Sequence, residues 1–107
     1  MNTDKKLKEL QLLEQNSQQY VMQKQQFQAQ FIEIESAINE LKKTDTSYKI
    51  VGNIMVKADK KDLEKDLKEK LKMFDIRIKS LEKQEEKIKD KAKELQKEVL
   101  SEMKNDK

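Results

Sequence analysis

Residues 47–58 read SYKIVGNIMVKA. They contain Gly52, the only glycine of the chain, with Tyr, Ile and Val gathered on either side of it. Gly-Asn between two β-forming runs is a favoured two-residue hairpin loop, with Gly supplying positive φ at the first central position of a type II′ turn. The register then pairs Val51 with Ile54 and Ile50 with Met55. One face carries Val51, Ile54 and Val56 beside Lys49; the other carries Tyr48, Ile50 and Met55 beside Lys57. Both faces are apolar near the turn, and an isolated two-stranded hairpin is marginal in water. Its open edges invite pairing with other strands, so the stretch reads as an assembly element. The alternative, an apolar loop, fits less well because loops favour Ser, Asp and Gly over β-branched residues.

Outside this stretch the chain has a different period. In the N-terminal half, a positions fall at Leu10, Ser17, Lys24, Phe31 and Ile38, and d positions at Leu13, Tyr20, Phe27, Ile34 and Leu41. The C-terminal half places Leu67, Phe74, Leu81, Ile88 and Leu95 at d, with Leu71, Ile78, Glu85, Ala92 and Val99 at a. Such 3,4 spacing keeps one apolar seam facing a partner helix, the mark of a coiled coil. At a rise of ~1.5 Å per residue each helix is about 50–60 Å long. Asn2 or Thr3 is expected to cap the first helix, and Asp59 or Asp62 the second.

Folded back as an antiparallel pair, the two seams complement each other. Leu41 is set against Leu67, Ile34 against Phe74, Phe27 against Leu81, Ser17 against Ala92 and Leu13 against Leu95. Lys24 then falls opposite Glu85, where the two charged seam residues either pair and fix the register or snorkel separately to water. The fold class expected is therefore mainly α: two long antiparallel helices joined by one β-hairpin.

Composition agrees. Only 35% of the 107 residues are hydrophobic and 42% are charged, against roughly 45–50% and 25% in average soluble domains. That is too little apolar surface for a compact globule, but enough for a single seam. The net charge is +3, and the C-terminal half mixes 16 Lys/Arg with 14 acids from residue 59 onward. This gives no nucleic-acid signature. The chain has no cysteine and no histidine, which removes disulfides, the usual zinc ligands and most catalytic constellations. We therefore expect neither an enzyme nor a cofactor. No apolar run approaches a membrane span or a signal-peptide core, and a soluble, cytoplasmic protein is expected.

Helix, one hairpin and helix, with the linker YKIVGNIMVK from Tyr48 to Lys57, resembles a prefoldin subunit of the β type, and the resemblance covers essentially the whole chain. It implies one prefoldin-like domain over 1–107, with a helix at 4–44, the hairpin at 47–58 and a helix at 60–104. It also implies that two α-type and four β-type subunits join their hairpins into a β-barrel platform. The coiled coils then project from it, capture unfolded polypeptides at their distal tips without ATP, and hand them to a group II chaperonin. The implied assembly residues are Tyr48, Ile50, Val51, Gly52, Ile54, Met55 and Val56.

The distal ends hold Leu10, Leu13 and Val99 on the seam, Leu12 and Leu100 off it, and Leu7 and Met103 at its fraying end. These are the candidate client-binding residues, since flexible aliphatic and Met side chains suit partners of no fixed shape. Ile32, Met73 and Ile76 form a second off-seam apolar group, expected to pack on neighbouring subunits or under the barrel. The competing reading is an adaptor coiled coil with one specific partner, although neither tip carries the aromatic residues that dominate specific hot spots.

Overall fold

The computed structural model describes residues 2–105. Its elements run α1 (Asn2–Lys42), β1 (Ser47–Val51), β2 (Ile54–Ala58) and α2 (Lys60–Asn105). The backbone separates into two compact units, one made of the chain up to Gln25 and from Lys79 onward, the other of Gln26–Ile78.

The 3,4 spacing governs burial throughout α1. The side chains shielded from solvent are Thr3, Lys6, Leu10, Leu13, Ser17 and Tyr20, then Lys24, Phe27, Phe31, Ile34, Ile38 and Leu41. Everything between them is exposed, which is how a helix of this charge content stays soluble. In α2 the same spacing runs from Lys60 to Glu102, and the most deeply buried positions are Ile78, Leu81, Leu95 and Val99.

Within the unit Gln26–Ile78, the rings of Phe27 and Phe74 lie 5.7 Å apart, tilted by 42°. The Arg77 guanidinium sits 5.7 Å from the centre of the Phe27 ring. One-to-one pairing, which sets Phe27 against Leu81, does not include this ring contact. In knobs-into-holes packing each seam side chain enters a hole formed by four residues, so a long ring reaches a neighbouring layer. Phe27 meets α2 one heptad nearer the hairpin than strict opposition would place it.

α1 ends at Lys42, earlier than the expected 44. The Lys43 and Thr44 amides donate to the carbonyls of Glu40 and Leu41 at 3.1 and 3.4 Å, three residues back, which tightens and closes the last turn. Thr44 also directs its hydroxyl at the Leu41 carbonyl, at 3.5 Å, a local bond that competes with helix continuation. Asp59 takes the N-cap position of α2, its carbonyl accepting the Leu63 amide at 2.9 Å, and Asp62 adds negative charge to the first turn. Thr3, an expected cap of α1, instead donates its hydroxyl across to Glu102 at 2.7 Å.

β1 and β2 form a two-stranded antiparallel sheet in the register Val51↔Ile54, Ile50↔Met55, Lys49↔Val56, Tyr48↔Lys57 and Ser47↔Ala58. Gly52 has φ of 62°, and no other residue among those described has positive φ. Positive φ at the first central position alone fits a type II′ turn and excludes type I′, which needs it at both. At its base Ser47 is buried and donates its hydroxyl to the Ala58 carbonyl at 2.8 Å, closing the hairpin where the helices begin.

No atom lies within 4 Å of where a Cβ on Gly52 would sit. A side chain there meets no clash, so its cost is the backbone's alone. Gly52→Val should destabilise the hairpin by about 1–2 kcal/mol, with Gly52→Asn milder because Asn tolerates this region better. Hydrogen exchange at the β1 and β2 amides measures it; equal protection in all three proteins would refute the turn assignment.

Candidate functional site

The hairpin leaves a large apolar surface in solvent. Ile50 is 73% exposed and Met55 67%, and with Tyr48 and Lys57 they make up a face left in solvent by the described residues. On the opposite face Val56 is half-buried, while Val51 and Ile54 stand exposed beside Gly52 at the turn. Both strand edges are open, because the sheet has only two strands. Ile32, Met73 and Ile76, the second apolar group, are exposed as well.

The unit containing both chain ends holds the tip candidates, and burial divides them. Val99 is buried, and Leu10 and Leu13 are half-buried in the seam. By contrast Leu7 (44%), Leu12 (61%), Leu100 (60%) and Met103 (56%) are exposed. Leu7 and Met103 were expected at the fraying end of the seam, and this is corrected. The heptad continues past Leu10 to Lys6 and Thr3, and past Val99 to Glu102, so polar residues hold the last seam positions. Leu7 and Met103 lie one residue beyond them, on the flank. Val21 and Met22 are further exposed apolar residues of α1 that the heptad reading did not single out.

These end residues form a clasp between the helices. Lys6 Nζ lies 2.5 Å from Glu102 Oε1 and 3.3 Å from Glu98 Oε2, bridging two acids one turn apart on α2. Thr3 donates to the other Glu102 oxygen, so both oxygens of that carboxylate are engaged. Extending the heptad by one turn at each end finds this clasp from the sequence.

The hydrogen bond from Lys6, then that from Thr3, holds the Glu102 carboxyl below its ordinary value of 4.5 against the opposing effect of burial. The bond to Glu102, reinforced by Glu98, raises Lys6 above 10.5. A lowered carboxyl stabilises the fold above its unfolded pKa, and that stabilisation is lost as pH falls through the folded value. A raised amine stabilises below its unfolded pKa, with loss as pH rises through the folded value. The clasp is thus closed across the neutral range.

Farther along the same unit, Lys24 Nζ lies 3.1 Å from Glu85 Oε2, with both side chains about four-fifths shielded. The second oxygen, Glu85 Oε1, is buried without a hydrogen-bond partner. Slippage of one helix along the other would leave both charges unpaired in the seam, so a pair of this kind disfavours other registers. No group of three or more His, Cys, Asp or Glu among the described residues is placed to hold a metal ion.

Two measurements follow from these pairs. Lys24→Leu alone should cost about 1–3 kcal/mol in urea unfolding, whereas Lys24→Leu with Glu85→Leu should restore or exceed the natural stability; a double variant weaker than the single would contradict the seam assignment. For the clasp, spin labels at residues 8 and 97 should report a wider separation at pH 3 than at pH 7. Glu102→Gln should flatten that change, and an undiminished pH response would remove Glu102 as its source.

A sequence profile described as prefoldin subunit matches residues 4–106. A prefoldin subunit beta from Archaeoglobus fulgidus is 44% identical over 80 residues, covering 72% of this chain and 69% of that protein. The prefoldin subunit beta of Methanospirillum hungatei is 34% identical over 101 residues, 92% of this chain and 84% of the other. Among solved structures, the prefoldin beta subunit from Thermococcus strain KS-1 matches with a TM-score of 0.88 at 33% identity, covering 94% of this chain and 90% of that one. Two long helices, one hairpin and these matches lead to one assignment: the chain belongs to the prefoldin family, as a subunit of the β type.

Proposed function

We propose that this chaperone subunit captures non-native polypeptides at its distal tips, without ATP, as one of four β-type subunits in a hexamer with two α-type subunits. The complex works in the cytoplasm and delivers its clients to a group II chaperonin.

One observation carries the assembly half of this reading. Five large apolar side chains of the hairpin, Tyr48, Ile50, Val51, Ile54 and Met55, stand in solvent on a sheet of two strands with both edges open. At ~25 cal/mol per Å², covering such side chains is worth on the order of 1–3 kcal/mol each, and strand addition satisfies the open edges as well. Other hairpins of the same kind supply both, and closing them into barrels removes the edges altogether.

The exposure of Leu7, Leu12, Leu100 and Met103 supports capture at the tips. Aliphatic and thioether side chains grip apolar segments without demanding a shape, and lysines and glutamates around them keep the empty tip soluble. Leu10, Leu13 and Val99 contribute when the terminal turns fray. No helix among the described residues is long and apolar enough to cross a membrane.

The test uses the complex assembled with an α-type partner. Leu12→Ser, Leu100→Ser and Met103→Ser together should leave a four-plus-two assembly by native mass spectrometry, since exposed substitutions change stability little. Suppression of aggregation of a denatured protein should fall severalfold. Undiminished suppression removes the tips as the site. A monomer or dimer in every mixture would instead favour an adaptor coiled coil.

A further inference from the structure

In the unit that carries both chain ends, a groove of about 900 Å³ runs along one side of the helix pair. Its floor is aliphatic, with Leu7, Leu10 and Leu13 from α1 and Ile88 from α2. It opens where the seam residues shrink to Ser17 and Ala92, which also line it. Two side chains this small leave the space between helix backbones unfilled, where Leu or Ile elsewhere fills it.

The walls are acidic. Glu14 of α1 and Glu82, Glu85 and Glu86 of α2 line the groove against a single cation, Lys89. Lys24 occupies one oxygen of Glu85, and the other is buried with no donor. No Lys or Arg among the described residues forms an ion pair with Glu14, Glu82 or Glu86. In a chain of net charge +3, this is a locally negative cleft with an apolar bottom, and such clefts concentrate cations.

We propose that the groove is a subsite for stretches of a non-native polypeptide in which apolar residues alternate with Lys or Arg. The inference rests on the capture reading above and specifies the class of segment captured. An apolar side chain lies on Leu7, Leu10 and Leu13. The aliphatic stem of a Lys or Arg follows the same floor while its head meets Glu14, Glu82 or Glu86. The span from Leu7 to Ser17 is about 15 Å of helix, room for about four to five extended residues. An acidic segment of equal hydrophobicity meets the same floor under repulsion from the walls and is rejected.

Two fluorescein-labelled peptides test this, one of Leu-Lys-Ser repeats and one of Leu-Glu-Ser repeats, titrated at 0.15 M salt into the complex assembled with the α-type partner. The lysine peptide should bind about tenfold more tightly, as expected of a few partly screened rim charges, and higher salt should shrink the difference. In the triple variant Glu14→Gln, Glu82→Gln, Glu86→Gln the preference should fall to about twofold, while Glu33→Gln, Glu35→Gln and Glu69→Gln together should leave it intact. Equal binding of the two peptides by the natural protein overturns the subsite and spares capture. A preference that survives the triple variant overturns it too. Binding of neither peptide sinks the subsite and the capture reading together.

Discussion

Two helices packed only on each other have one stripe each to bury, and every other property of this chain follows from that limit. With two of seven heptad positions on the stripe, the other five face water, which accounts for a composition that is 42% charged. The same limit makes any polar residue on the stripe conspicuous. Lys24 pairs with Glu85 and Lys6 with Glu102, so these charged seam residues meet partners of opposite sign. Apolar residues off the stripe stay in water whether or not they have a use, as Leu12 and Leu100 do.

The hairpin expresses the same limit from the other side. Its base is tied down by Ser47 on the Ala58 carbonyl, and beyond that first pair the chain has no further layer to lay across Ile50 or Met55. Burying these residues within one chain takes a third element, and the elements of the described residues are two helices and two strands. Contact with another chain would bury them, and the assembly proposed above uses this same surface.

How much of this the sequence discloses depends on how local the determinant is. Gly52-Asn53 sets a two-residue turn, and the turn sets the strand register, so every rung from Val51↔Ile54 to Ser47↔Ala58 was readable. The helices and their stripe were readable for a similar reason, since the 3,4 period repeats in every turn. Layer partners were not. Phe27 meets Phe74 because a ring can lean toward a neighbouring layer, a choice made by side-chain size and rotamer rather than by period. The clasp at the tip escaped for a different reason: the seam was traced by its apolar members, and Lys6, Thr3 and Glu102 continue it in polar form. Ser17 and Ala92 both line the groove, but its opening depends on the volumes around them, which no pattern of positions encodes.

The clasp also shows how the antiparallel arrangement couples the two chain ends. Glu102 lies in the last turn of α2, where the negative end of the helix dipole disfavours a carboxylate in an isolated helix. Antiparallel pairing brings the start of α1 alongside it. That start offers the positive end of its own dipole, the Lys6 ammonium and the Thr3 hydroxyl. A charge unfavourable to α2 alone thus becomes favourable when the start of α1 lies beside it. The contacts of Lys6 and Thr3 with Glu102 hold the two helix ends together, and Leu7 and Met103 lie just outside them, exposed.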